Sequence, residues 1–301
     1  MTSNSVSPTS IAAATGVGPV HVAVTDPVVA TEFYSGTLGL TALPSTDGTL
    51  RFGAGDRELV ALHPGAAGPV EPHTTGLYHL AIVVPNRREL ARVIARAMTQ
   101  RYPNSPTDHT MTKSDYLWDP DGNGIEIYAE TPEDGTWTFI DDGFAAIDSQ
   151  GRPRSGRDPI DLEELFAELQ PDDRLDQPMP SGTRMGHVHL HVAHIADALD
   201  FYTGLVGFDL VGMSRRFGAA FISAGGYHHH LGLNTWAGQG APPPPEGVAG
   251  LRHFSIEVPT ESDLEPVLDR LASAGVGVNQ VEQDFEVLDP SHNRVRLRSL
   301  S

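Results

Sequence analysis

The chain has 301 residues, 20 Lys+Arg against 39 Asp+Glu for a formal charge of −19, 14 histidines and no cysteine. The length suits roughly two domains with real cores, and the acidic excess, with Lys113 the single lysine, argues against a nucleic-acid or anionic-membrane binder, which needs clustered Lys and Arg. The lack of cysteine excludes disulfides, thiolate metal sites, Fe–S clusters and a cysteine nucleophile, so any metal must rest on His, carboxylate or water.

In chain order, residues 1–17 are Ser, Thr, Ala and Gly without periodicity and without the charged start of a secretory signal, which predicts a disordered tail in a cytoplasmic protein. No apolar run approaches the ~18 residues of a membrane span. An alternating strand at 20–25 then precedes Phe33-Tyr34-Ser35-Gly36, and the same order returns as a strand at 187–193 before Phe201-Tyr202-Thr203-Gly204. Gly76-Leu77-Tyr78-His79 is matched by Gly250-Leu251-Arg252-His253, each leading into apolar positions at helical spacing: Leu90, Val93 and Ile94, then Leu264, Val267 and Leu268. Asp119-Pro120-Asp121-Gly122-Asn123 is matched by Asp289-Pro290-Ser291-His292-Asn293, a turn before the last strand of each half. The offsets of these pairs are 168, 174 and 170 residues, so one half of the chain duplicates the other.

The pattern predicts an α+β fold of four βαβββ modules, at 18–66, 76–130, 184–237 and 250–300. Modules one and two make a first domain over 18–130, and three and four a second over 184–301. Between them, 131–183 reads as a Gly/Asp-rich crossover with one helix at 162–169. The run 242–245 is read as a stiff proline loop.

Four such modules with strand-borne histidines resemble the vicinal oxygen chelate superfamily of glyoxalase, bleomycin-resistance and dioxygenase domains. In module two the spacing His109, Tyr116, Asp119-Pro120, Gly122, Glu126 is similar to the signature of type I extradiol ring-cleaving dioxygenases, of the catechol 2,3-dioxygenase kind. Asp115 departs from it, standing where an apolar residue is usual, but a strand neighbour of Tyr116 points to the opposite face. The resemblance implies that Glu126 is a metal ligand together with two first-strand histidines, a 2-His-1-carboxylate set for Fe(II), with Mn(II) as the alternative metal. His79 is one of them.

For the third ligand, the count in module one lands on Pro19, with His21 displaced by about 7 Å, whereas in module three it lands on His187. Module four has His253 on its first strand but Arg296 where module two has Glu126, and an arginine cannot ligate a cation. Neither sequential pairing of modules completes a set, but pairing two with three does: His79, Glu126 and His187. The resemblance also implies a catalytic histidine on a late strand of module three, read at 227–234. Spacing to Gly232 favours His229, while strand parity pairs His228 with His230, and the three stay unresolved. His109 and Tyr116 then fall where relatives hydrogen-bond the bound catecholate or oxygen.

His73, His189, His191, His194 and His253 are read as ordinary half-exposed strand or loop residues, and Trp118, Trp137, Trp236 and Phe221 as core or pocket wall. The function implied is extradiol cleavage of a small aromatic diol with O₂, in aromatic hydrocarbon catabolism, with no nucleic-acid or membrane partner and homo-oligomerisation left open. The alternatives are a glyoxalase-like metal-dependent lyase or isomerase, which commonly adds a second Glu not found in 227–234, and a non-catalytic aromatic-ligand or drug-binding protein.

Overall fold

The structure is a computed structural model that describes residues 10–140 and 142–301. Four βαβββ units follow one another. The first runs β1 (Gly16–Val24), α1 (Pro27–Thr31) with a π-helical continuation (Glu32–Thr37), β2 (Thr41–Leu43), β3 (Leu50–Ala54) and β4 (Arg57–Pro64). The second is β5 (Gly76–Val83), α2 (Arg87–Thr99), β6 (Ser105–Asp108), β7 (Thr112–Trp118) and β8 (Gly124–Glu130). After a connecting stretch with β9 (Gly135–Ile140), β10 (Gly143–Asp148), β11 (Pro153–Arg154), β12 (Asp158–Pro159) and α3 (Leu162–Phe166) comes the third unit. It comprises β13 (Arg184–His191), α4 (Ile195–Leu199) with a π-helical turn (Asp200–Val206), β14 (Asp209–Ser214), β15 (Ala219–Ser223) and β16 (Leu231–Asn234). The fourth is β17 (Gly250–Val258), α5 (Glu261–Ser273), β18 (Asn279–Val281), β19 (Asp284–Leu288) and β20 (Arg294–Ser299). No helix among the described residues is long and apolar enough to cross a membrane.

The helices start where local chemistry allows. The Asp26 carboxylate accepts the backbone N–H groups of Val28 and Val29, Asn86 accepts that of Glu89, and Thr260 with Asp263 forms a reciprocal capping box. The π turn after α1 carries Tyr34, whose hydroxyl donates to the buried Asp119 carboxylate at 3.1 Å, and its duplicate carries Tyr202, which donates to Asp289 at 3.0 Å. Each Asp-Pro turn is thereby tied to the helix of the preceding unit.

The sheets join units that are not neighbours in sequence. β5 and β13 pair antiparallel at the centre of a nine-stranded sheet, β12-β6-β7-β8-β5-β13-β16-β15-β14, so unit two pairs with unit three. β1 and β17 pair antiparallel in an eight-stranded sheet, β18-β19-β20-β17-β1-β4-β3-β2, so unit one pairs with unit four. Alternation then sorts the side chains. Val188 and Leu190 of β13, Leu80 and Ile82 of β5, Val20 and Val22 of β1 and Phe254 and Ile256 of β17 enter one continuous hydrophobic core. His187, His189 and His191, and likewise His79 and Ala81, fall on the other face of the inner sheet.

Several expectations need correction. Residues 10–15 pack on the fold, with Ile11 buried and its N–H bonded to the Gly207 carbonyl, and β1 already starts at Gly16; of the tail expected at 1–17, residues 1–9 lie outside the described residues. The 131–183 segment carries four short strands besides a helix that stops at Phe166. β12 extends the inner sheet, β9 to β11 form a small sheet of their own, and Arg92 and Arg96 of α2 bind the carbonyls of Leu175, Gln177 and Pro178. The strand expected over 227–234 begins only at Leu231, which removes the parity argument for His228 and His230.

Candidate metal centre

Register builds the site. His79 on β5 lies opposite His189 on β13, and Ala81 lies opposite His187 on one side and beside Glu126 of β8 on the other. His187, Ala81 and Glu126 thus form one row across three strands, spaced about 4.8 Å apart. The middle residue is a methyl group, and over it the longer flanking side chains lean together. His79 Nε2, His187 Nε2 and Glu126 Oε2 close a triangle with sides of 3.2 Å between the imidazoles and 3.1 and 3.2 Å to the carboxylate. All three residues are buried.

Burial alone would hold the Glu126 carboxyl neutral, but the imidazoles of His187 and His79 outweigh it and keep the carboxyl well below its ordinary range. Ser114 of β7 adds a hydrogen bond from its hydroxyl to Glu126 Oε1 at 2.6 Å. Burial pushes His187 below its ordinary value, so its imidazole is neutral. An ionised carboxylate beside a neutral imidazole is the protonation state that metal binding requires. Two nitrogens and one oxygen on adjacent corners about 2.1 Å from a cation would lie about 3.0–3.4 Å apart, the lower figure for octahedral and the upper for tetrahedral angles, so the triangle matches the donor set of a divalent ion.

Around the triangle stand the other candidates. Tyr116 is the direct ladder partner of Glu126. His109 Nδ1 lies 2.7 Å from the carbonyl of Gly156, which can only accept, so Nδ1 carries the hydrogen and Nε2 accepts the Tyr116 hydroxyl at 2.9 Å. Burial lowers His109 and raises Tyr116, which keeps the dyad neutral. His228 and His229 both reach His187 closely enough to form a second group of donors with it, and the rings of His187 and His229 are 4.1 Å apart. Burial pushes His228 down to about 3 and His229 well below its ordinary value. The loop that carries them is pinned at both ends: the Tyr227 hydroxyl donates to Glu130 at 2.6 Å and meets Tyr128, while His230 Nδ1 accepts the Ala224 N–H at 3.1 Å. His230 is therefore spent on its own loop and is not among the donors grouped with His187.

Sequence reasoning misplaced two histidines and one segment and overlooked one residue; of the two, His253, taken for half-exposed, is buried on the outer sheet. His189, taken for a half-exposed strand residue, is buried against the His79 ring at 5.1 Å, and its Nε2 has no hydrogen-bond partner. It fits only because Gly232 opposite lacks a side chain, since a Cβ there would come within 2.8 Å of the imidazole. The crossover, taken for a connector, supplies the Gly156 carbonyl and an aromatic wall in which Trp137 stacks on Phe144 at 4.5 Å and meets Phe221, itself 5.0 Å from His229. Ser114 was overlooked, although its distance of two from Tyr116 on one strand was the available signal.

Asp115, the departure from the signature, is fully buried on the opposite face of β7, where Asn104 Nδ2 donates to both carboxylate oxygens. Burial pushes it up to about 7 from an ordinary value of 3.8. Because the folded value is the higher one, its stabilising contribution is complete below about pH 4 and is lost as pH rises toward 7. Asp115→Asn is therefore expected to raise stability above pH 7 by up to about 4 kcal/mol and to change it little below pH 4. Urea denaturation at both ends of that range checks this, and an equal gain at both would mean that the carboxylate ionises freely.

A family model described as Glyoxalase/Bleomycin resistance protein/Dioxygenase superfamily matches residues 16–127 and 184–297. The chain belongs to that superfamily. A catechol-2,3-dioxygenase of Bacillus subtilis (strain 168) is 37% identical over 285 residues, covering 94% of this chain and 96% of its own, which places the protein with the superfamily's ring-cleaving dioxygenases. Among solved structures, a Bacillus subtilis protein described as a dioxygenase matches with a TM-score of 0.63 at 18% identity, over 94% of this chain and 84% of its own. Glyoxalase I from Zea mays matches at 0.56 and 14% identity, over 94% and 92%. These two likenesses concern the fold alone and agree with the α+β architecture expected from the sequence.

Proposed function

We propose that the protein is an Fe(II)-dependent extradiol dioxygenase acting on a small catechol-type diol with O₂. The observation that carries this reading is the buried His79–Glu126–His187 triangle, with neutral imidazoles and a phenol gathered beside it. His79, Glu126 and His187 would hold the metal, with Mn(II) the alternative that metal analysis decides. A divalent iron held by them would supply Lewis-acid and redox chemistry for a bound diol and O₂.

The chain's own residues supply the rest. His229, neutral and beside His187, is placed to accept the second hydroxyl proton of the diol. The His109 tautomer, fixed by the Gly156 carbonyl, lets Nε2 hold the Tyr116 hydroxyl in one orientation, so that Tyr116 positions the ring-opening species. Phe221 and Trp137 offer an apolar wall to an aromatic ring and exclude water. The glyoxalase-like alternative lacks support from any carboxylate on the loop and strand at 227–234.

Oxygen uptake by the iron-loaded protein with catechol tests the reading, and no uptake with any of several catechols would sink it. His229→Ala is expected to lower kcat by about 10²–10⁴ with metal content unchanged, and His230→Ala to leave kcat near the parent's. If His228→Ala alone reproduces the loss, the proton acceptor is His228 instead.

A further inference from the structure

The outer sheet carries a degenerate copy of the inner centre. His21 of β1 lies opposite His253 of β17, as His189 lies opposite His79, and Arg296 of β20 stands beside Ser255 as Glu126 stands beside Ala81. The counterpart of His187 is Pro19. Among the described residues no group of three metal donors occurs here. Replacing the carboxylate by a guanidinium has reversed the sign of the site.

A cavity of about 640 Å³ opens on this face, lined by His253, Arg252, Arg294 and Arg296, with Tyr78 and Trp118 on the inner-sheet side. In a chain of net charge −19, three of its 20 basic residues converge on one cavity. Two carboxylates also line it. Glu286 is engaged by Arg294 and by Arg296 Nε at 2.8 Å, and Glu71 is exposed. Three guanidiniums against two carboxylates leave one positive charge. Arg252 makes no ion pair among the described residues, and only the Nε of Arg296 is used, which leaves its outer nitrogens free. His253 is buried, stacks on His21 at 3.9 Å, and its ring has no hydrogen-bond partner among the described residues. Its imidazole is pushed down to about 2 by burial first and then by His21 and Arg296, so it is neutral and can donate one N–H.

We infer that this cavity is a second ligand site, for a small monocarboxylate with an aromatic or unsaturated body. A guanidinium fork matches a carboxylate in two parallel hydrogen bonds, the single net charge suits a monoanion, and Tyr78 and Trp118 give the body flat apolar surface. The inference does not depend on the reaction proposed for the inner centre.

The test is calorimetric titration of benzoate into the full-length metal-loaded protein, with inorganic phosphate as the second probe. One saturable benzoate site per chain is expected to persist in Glu126→Gln and to weaken about tenfold or more in Arg252→Glu, the loss typical of a charge-assisted hydrogen bond. Arg252 is exposed and makes no ion pair among the described residues, so its replacement leaves the fold intact, and Arg296→Gln should weaken binding similarly. Absence of saturable binding at millimolar benzoate would overturn the proposal, as would binding that disappears in Glu126→Gln and ignores Arg252→Glu. Phosphate binding more tightly than benzoate would overturn the carboxylate assignment.

Discussion

Glu126→Gln is expected to yield a folded protein that no longer retains a divalent metal and has lost its oxygen-consuming activity, with His79→Ala and His187→Ala behaving alike. The carboxylate is the single anion in the triangle, and the amide is close to it in shape, so the packing around it survives while the charge that balances a cation does not. Loss of an outer hydrogen bond to a ligand already costs roughly 10–100-fold in metal affinity, and loss of the ligand itself should exceed the upper end of that range. Metal analysis after gel filtration, together with oxygen uptake, reads both effects. Ser114→Ala removes only the 2.6 Å hydrogen bond to Oε1 and should fall within the 10–100-fold window. Full metal occupancy in Glu126→Gln would overturn the assigned centre. Full occupancy in His187→Ala, with loss in His21→Ala or His253→Ala, would overturn the inner pairing of ligands even if the activity stood.

Produced separately, segments 1–150 and 151–301 are each expected to fail to fold, and mixing them from denaturant should restore both cooperative unfolding and metal binding. Each segment alone would keep two of the four central strands, β1 with β5 or β13 with β17, and each of those strands would lose the partner it has at the middle of its sheet. The apolar faces of Val20, Val22, Leu80 and Ile82 would lose the opposing half of one continuous core. Strand edges exposed in this way invite aggregation. The proposed metal centre is divided as well, since His79 and Glu126 come from the first segment and His187 from the second. Circular dichroism of each segment decides the matter: a cooperative transition in either one alone would mean that sequence-adjacent units form self-sufficient domains.

Much of the centre was legible because two periodicities carry it. The duplicated Phe-Tyr and Asp-Pro stretches mark four units, and alternation on β13 separates His187 and His189 from Val188 and Leu190 without any structure. Tyr116 and Glu126 face each other on two adjacent strands and His109 sits in the turn just before the first of them, so sequence distance and spatial distance are tied together by the ladder. Arg296 in place of Glu126 was informative too, because a cation in a ligand position excludes that unit from holding a metal, and elimination left units two and three.

What stayed hidden depends on contacts between segments distant in the chain. His189 looked ordinary because nothing local shows that Gly232, on another strand, makes room for its ring. The loop at 228–230 looked like strand because its apolar and aromatic flanks alternate plausibly, whereas its conformation is set by Tyr128 and Glu130 gripping Tyr227. The crossover gave no local sign that its Gly156 carbonyl would fix the tautomer of His109. By itself, then, the sequence determined the repeat, the residue types able to bind a cation and the one combination of units able to supply three of them. Only the tertiary structure decided which faces meet, that His228 and His229 rather than His230 reach His187, and what the crossover lends to the site, because strand pairing and side-chain clearance depend on partners a hundred residues away that no local pattern encodes.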